Sequence, residues 1–193
     1  MADVARLREF VRSFTRLVDE NPDEERIFRD GKALLAGLVA HDDWLPEAFA
    51  QANPDRYQQF LLHCDPLERF SVASFVWGPG QTTPVHDHTV WGMVGVMRGE
   101  ELCEEFRVED SGAVVAAGRH RLPAGEIDLV SPRVGDVHRV SNALADRPSI
   151  SIHVYGANIG AVKRHVYDLP AGRRDFVSGY SSPVLPNLWD RSM

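Results

Sequence analysis

Cysteine is scarce in this chain. Its 193 residues include only Cys64 and Cys103, too few for a disulfide framework. Both read as small buried thiols in a reducing compartment. Positive charge is also short. The formal net charge is −7 and no run of five basic residues occurs, so a nucleic-acid footprint is not expected. Apolar stretches are too short to span a membrane as a helix. The first residues, "MADVARLREFVRSF", mix charges among the apolar positions and lack the apolar block of a signal peptide. These absences point to a cytoplasmic location and no membrane partner. No repeat or low-complexity segment occurs. The length fits a single domain over residues 1–193.

The first third, residues 1–68, reads as helical and packed on the remainder. Leu7, Phe10, Val11, Phe14, Leu17 and Val18 recur at spacings of three and four, one apolar stripe. A second helix is expected in "NPDEERIFRDGKALLAGLVAH", with Asn21 as a cap-like residue and Pro22 in the first turn. "WLPEAFAQA" and "PDRYQQFLL" look like two further short helices. From about Arg69 the pattern changes to short β-rich segments separated by Gly, Pro, Asp or Asn. Such strands without intervening helices suggest an antiparallel barrel or double-sheet jelly roll over 69–170. The Pro- and Ser-rich remainder, 171–193, reads as an extended strap.

Four of the eight histidines are ordinary; His41, His63, His120 and His165 have no partner at ligand spacing. His86 and His88 stand one residue apart after a Gly-Pro-Gly turn, so on a strand both face the same way. Two imidazoles converging on one point suit a metal; two stacked rings on a polar barrel face are the bland alternative. His138, in "GDVHRVSN", lies some 50 residues on and can complete a triad in a barrel. In "SISIHVYG", Ser151, His153 and Tyr155 alternate with Ile150, Ile152 and Val154. The first three share a strand face, where the hydroxyls and the imidazole can form a hydrogen-bonded relay. A polar strand without chemistry is the alternative.

Together these segments resemble the paired motifs of the cupin superfamily. The first runs Gly80, five residues, His86, Asp87, His88, three residues, the usual glutamate position, six residues, Gly99. The second runs Gly135, two residues, His138, three residues, Asn142. The glutamate position is Gly92, which leaves three neutral nitrogens. A dication so held keeps more of its charge and suits an anionic substrate such as a thiolate.

Three histidines without the glutamate, plus Ser-x-His-x-Tyr on a later strand, resemble the cysteine dioxygenase family of thiol dioxygenases, from about Tyr57 to Tyr167. The resemblance implies a cupin-type double-stranded β-helix with Fe(II) held by His86, His88 and His138. It also implies Tyr155 beside substrate and O2, supported by His153 and Ser151, and a sulfinic acid product. Animal members have a cysteine at the Gly92 position, cross-linked to the tyrosine; no such link is expected here. They also carry a carboxylate-binding arginine at the position of Gln59. The chain is more similar to bacterial 3-mercaptopropionate dioxygenases, which have glutamine there and take the arginine from a later strand. That arginine matches Arg164, expected on the strand next to that of Tyr155. A planar two-pronged cation suits a substrate carboxylate. Trp91 reads either as a pocket wall or as core. Competing readings are a cupin enzyme with Zn(II), Ni(II) or Cu(II), a metal-binding sensor without catalysis, and a purely structural barrel.

Overall fold

The computed structural model describes residues 4–182. Helix α1 (Ala5–Asp19) carries the expected stripe and buries Phe10, Phe14 and Leu17. Helix α2 (Glu24–Arg26) passes through a π-helical turn, Ile27–Gly31, into α3 (Lys32–Val39). The cap of α2 is Asp23, not Asn21: its side chain accepts from Arg26 N at 2.9 Å. Asn21 instead adopts φ +50° and donates its N–H to Val18 O at 3.1 Å. That turns the chain at the end of α1, a left-handed position asparagine tolerates.

Eleven strands follow: β1 (Gln58–Cys64), β2 (Ser71–Trp77), β3 (Val85–His86), β4 (Gly92–Arg98), β5 (Glu100–Val108), β6 (Val114–Pro123), β7 (Ile127–Val130), β8 (His138–Asn142), β9 (Ser149–Tyr155), β10 (Arg164–Tyr167) and β11 (Arg173–Phe176). They form a five-stranded sheet, β1-β2-β9-β4-β7, and a six-stranded sheet, β11-β10-β3-β8-β5-β6. Every strand pairing is antiparallel. The two sheets make the double-stranded β-helix expected of a cupin barrel.

The helices cover the outer face of the five-stranded sheet. Phe10, Phe14 and Leu35 join Val72, Met93, Ile150, Ile152 and Val154 in one buried cluster. Each such aliphatic side chain contributes roughly 1.5–3 kcal/mol when fully buried. The alternate residues of β9 point the other way, into the barrel. One strand thus anchors the helical layer with its even positions and builds the site with its odd ones.

Three expectations need correction. "PDRYQQFLL" is not a helix; Gln58–Cys64 is β1, hydrogen-bonded along its length to β2. The barrel therefore begins at β1, ahead of Arg69. "WLPEAFAQA" contributes only a 3₁₀ turn, Glu47–Phe49. The strap contains a further strand, β11, on the edge of the six-stranded sheet; its last part, 183–193, lies outside the described residues.

Candidate metal centre and substrate pocket

His86 of β3 is paired directly with His138 of β8, and His88 follows two residues on. The three ring centroids are each 4.9 Å from the other two, and the rings are inclined to one another by 60–85°. One ligand atom from each lies within 4.8 Å of the others. Each ring is oriented through its Nδ1. That of His86 faces Pro84 O at 3.1 Å. That of His88 faces Asp136 Oδ1 at 2.9 Å, and that of His138 faces Cys103 Sγ at 3.5 Å. The oxygen acceptors on Nδ1 of His86 and His88 fix their tautomer and leave Nε2 as the free lone pair, the usual support for metal-binding imidazoles. His88 Nε2 is buried and has no hydrogen-bond partner, an unmet need a metal would satisfy. Burial holds all three imidazoles neutral: His86 and His88 titrate well below the usual range, and His138 is brought down to about 4.

Asp136 is fixed in turn by the backbone N–H groups of His88 and Thr89, at 3.0 and 2.9 Å. The missing glutamate has a steric reason. A Cβ on Gly92 would lie 2.6 Å from Tyr155 Cδ1 and 2.9 Å from Val130 Cγ2. The Tyr155 ring occupies that space and stacks at 5.3 Å against His88.

The odd residues of β9 form the relay their alternation suggests. Ser151 Oγ lies 2.8 Å from His153 Nε2, and His153 Nδ1 lies 2.8 Å from the Tyr155 hydroxyl. Phe75 stacks on the His153 ring at 3.9 Å, and the Trp77 indole donates to Ser151 Oγ at 3.3 Å. Burial lowers the His153 pKa and raises that of Tyr155, so the resting chain is neutral.

His86, His138, His153 and Tyr155 line one pocket together with Gln59 and Arg164. Arg164 opens β10, in the sheet opposite β9. It therefore reaches the pocket from across the barrel and not from the strand beside Tyr155. It is 4% exposed. Its Nη2 donates to Ser178 Oγ at 2.7 Å, its Nε has no partner, and Phe176 lies 4.7 Å beneath the guanidinium. Gln59 Nε2 is likewise buried and unpartnered. Trp91 is not a pocket wall; it packs on the helical side, 6.0 Å from the Phe14 ring.

Several participants were not singled out in the sequence. Asp136 stands in the quoted "GDVH" beside a histidine, the one available signal. Phe176 and Ser178 sit in the strap, where composition gave none. Cys103 appeared only as a small hydrophobe, yet its sulfur meets His138.

Fold and site together define a cupin-type barrel protein with a three-histidine group able to hold a metal. The family model described as cysteine dioxygenase type I matches residues 34–168, most of the chain, and the chain belongs to that family. It is 22% identical to cysteine dioxygenase type 1 of Rattus norvegicus over 113 residues, 57% of this chain and 55% of the rat protein. The Mus musculus enzyme gives the same figures. The chain thus spans about half the length of the curated relatives it matches. Among solved structures, it resembles a Klebsiella pneumoniae protein described as having a double-stranded β-helix domain. The TM-score is 0.44 at 18% identity, covering 70% of this chain and 97% of that one. A protein from Thermus thermophilus gives a TM-score of 0.43 at 21% identity, covering 57% of this chain and 92% of that one.

Proposed function

We propose that this protein is a cytoplasmic Fe(II) thiol dioxygenase. It adds both atoms of O2 to a small thiol carboxylate and releases the sulfinic acid, with 3-mercaptopropionate preferred and L-cysteine second. The observation that carries the substrate class is Arg164. A buried guanidinium with an unpartnered Nε shares a pocket with His86 and His138, and a carboxylate satisfies both its charge and its free donor. Gln59 adds a second free donor from the opposite sheet. Among the described residues no aspartate or glutamate lines that pocket, so a substrate ammonium would find no counter-charge from them. This supports 3-mercaptopropionate over cysteine. Membership of the cysteine dioxygenase family supports the oxidation itself.

His86, His88 and His138 would hold the metal through Nε2. When bound, Fe(II) would favour the thiolate form of the substrate and bring sulfur and O2 into contact. Arg164 orients the carboxylate, which places the thiol at the histidine end of the pocket. Tyr155 directs its hydroxyl to the same region and takes its orientation from His153 and, through it, Ser151. Phe75, Trp77 and Phe176 keep water out. Both cysteines, Cys64 and Cys103, are buried, in keeping with a reducing compartment.

Oxygen uptake by the iron-loaded protein tests the proposal, with 3-mercaptopropionate and L-cysteine in parallel and the product identified. The expected result is sulfinate from both and a higher kcat/KM for 3-mercaptopropionate. Arg164→Ala should raise KM for either thiol by roughly ten- to a hundredfold, the worth of a charge-assisted hydrogen bond of ~1.5–3 kcal/mol. Absence of uptake with either thiol would overturn the reading.

A further inference from the structure

Glu101 of β5 has no place in the site described above, yet it is 0% exposed. Its strand neighbours are Leu122 of β6 and Asn142 of β8. Its carboxyl is faced by Ser149 and Ser151 of β9 and by Trp77 of β2, all uncharged. Ser149 Oγ lies 3.4 Å from Oε1, and Oε2 has no hydrogen-bond partner of its own. Cys103, two residues along the same strand face, is the titratable group that senses it. A buried carboxylate with no cation beside it is costly, and such a group keeps its proton instead. Burial moves the Glu101 carboxyl up to about 8.

We propose that Glu101 is the far end of the Ser151–His153–Tyr155 chain, a neutral carboxylic acid whose proton replaces the one Tyr155 gives up in the pocket. This deepens the thiol dioxygenase reading, on which only its kinetic consequence rests. The hydroxyl valences fit. Trp77 Nε1–H occupies one lone pair of Ser151 Oγ, and the other is left for the O–H of the Glu101 carboxyl that faces it. The Ser151 O–H then points to His153 Nε2, and His153 Nδ1–H points to the Tyr155 oxygen. The Tyr155 O–H is left aimed at the pocket. When that O–H bond breaks and its proton passes to a basic oxygen of the reacting substrate, each donor behind it moves one proton forward. His153 Nδ1 gives to the Tyr155 oxygen, Ser151 Oγ to His153 Nε2, and Glu101 to Ser151 Oγ. Tyr155 and Ser151 end as hydroxyls, His153 ends with its proton on Nε2 in place of Nδ1, and Glu101 ends as a carboxylate; one proton from water, entering at the Tyr155 oxygen and passing back through His153 and Ser151 to Glu101, restores all four groups. No electrons are transferred. Glu101 is thus a positioning and proton-supplying residue that never touches substrate.

Infrared difference spectra of the metal-loaded protein test this without turnover. Wild type minus Glu101→Gln should show the carbonyl stretch of a protonated carboxylic acid at pH 6, lost as pH rises past 8. Isotope-labelled glutamate identifies the same band without any substitution, should the glutamine variant fail to fold. Ser151→Ala should shift that band, because it removes the partner hydroxyl. A carboxylate spectrum at pH 6, or a band that Ser151→Ala leaves in place, would overturn the proposal. In turnover, Glu101→Gln should lower kcat roughly tenfold with KM unchanged; an unchanged kcat would also overturn it. If the wild type oxidises no thiol, the dioxygenase reading fails, while the infrared band still decides whether Glu101 belongs to the chain.

Discussion

At the scale of single residues, the site is shaped as much by a missing side chain as by those present. Gly92 stands directly across from Tyr155 in the β4–β9 pairing, and the tyrosine ring lies where a Cβ would be. A glutamate at 92 and a tyrosine ring at 155 compete for one volume. The barrel has taken the ring, and with it a hydroxyl in place of a carboxylate. Gly92→Ala should therefore destabilise the fold by ~1–3 kcal/mol, the usual cost of overpacking, and lower kcat by moving Tyr155. Urea unfolding at constant m-value measures the first effect. A variant with the wild-type midpoint would mean that the contact yields freely and that Gly92 does not hold the ring in place.

At the scale of elements, strands with strict alternation could be read in the sequence. In β9, apolar and polar residues separate by parity, and each set finds its own layer. His86 and His88 were legible because a period of two gives them one face. β1 was not. In "YQQFLL" the apolar residues Tyr57, Phe60, Leu61 and Leu62 fit a helical turn as well as a strand. Its strand state depends on pairing with β2, which local sequence does not reveal. Arg164 could be found as a cation near the relay, but its sheet depends on how the chain crosses the barrel. The strap hid its role because its partners are remote in the sequence; Ser181 Oγ accepts from Gln59 N across 122 positions. Tyr180 is its anchor: Gly160 N–H donates to the Tyr180 hydroxyl at 2.9 Å, and that hydroxyl donates to Asn158 Oδ1 at 2.7 Å. Ser178, two residues before it, holds Arg164. Tyr180→Phe removes both hydroxyl bonds and should loosen the strap by about 1–3 kcal/mol. Hydrogen exchange reads this directly: the Gly179 and Ser181 amides, bonded to Gly160 O and Gln59 O, should exchange faster. KM should rise through the loosened Arg164. Unchanged exchange at both amides would assign the strap's seat to other contacts.

At the scale of the whole molecule, the two sheets carry different halves of the chemistry. The six-stranded sheet provides the histidines and Arg164; the five-stranded sheet provides Gln59 and the relay. Metal binding would act on the first of these. His86 and His138 are joined through a single residue pairing between β3 and β8, with β3 only two residues long. A dication shared by three imidazoles would tie this weak seam together, and it would bind the folded chain alone, because the three nitrogens converge only there. A ligand at a hundred times its Kd stabilises by about 2.7 kcal/mol. For a chain of this size that corresponds to a rise in Tm of roughly 5–10 °C. Calorimetry under anaerobic conditions should show that rise on adding Fe(II), its reversal by a chelator, and no response in His138→Ala. A wild-type Tm that neither Fe(II) nor the chelator moves would leave the three histidines without a metal and the proposed reaction without its centre.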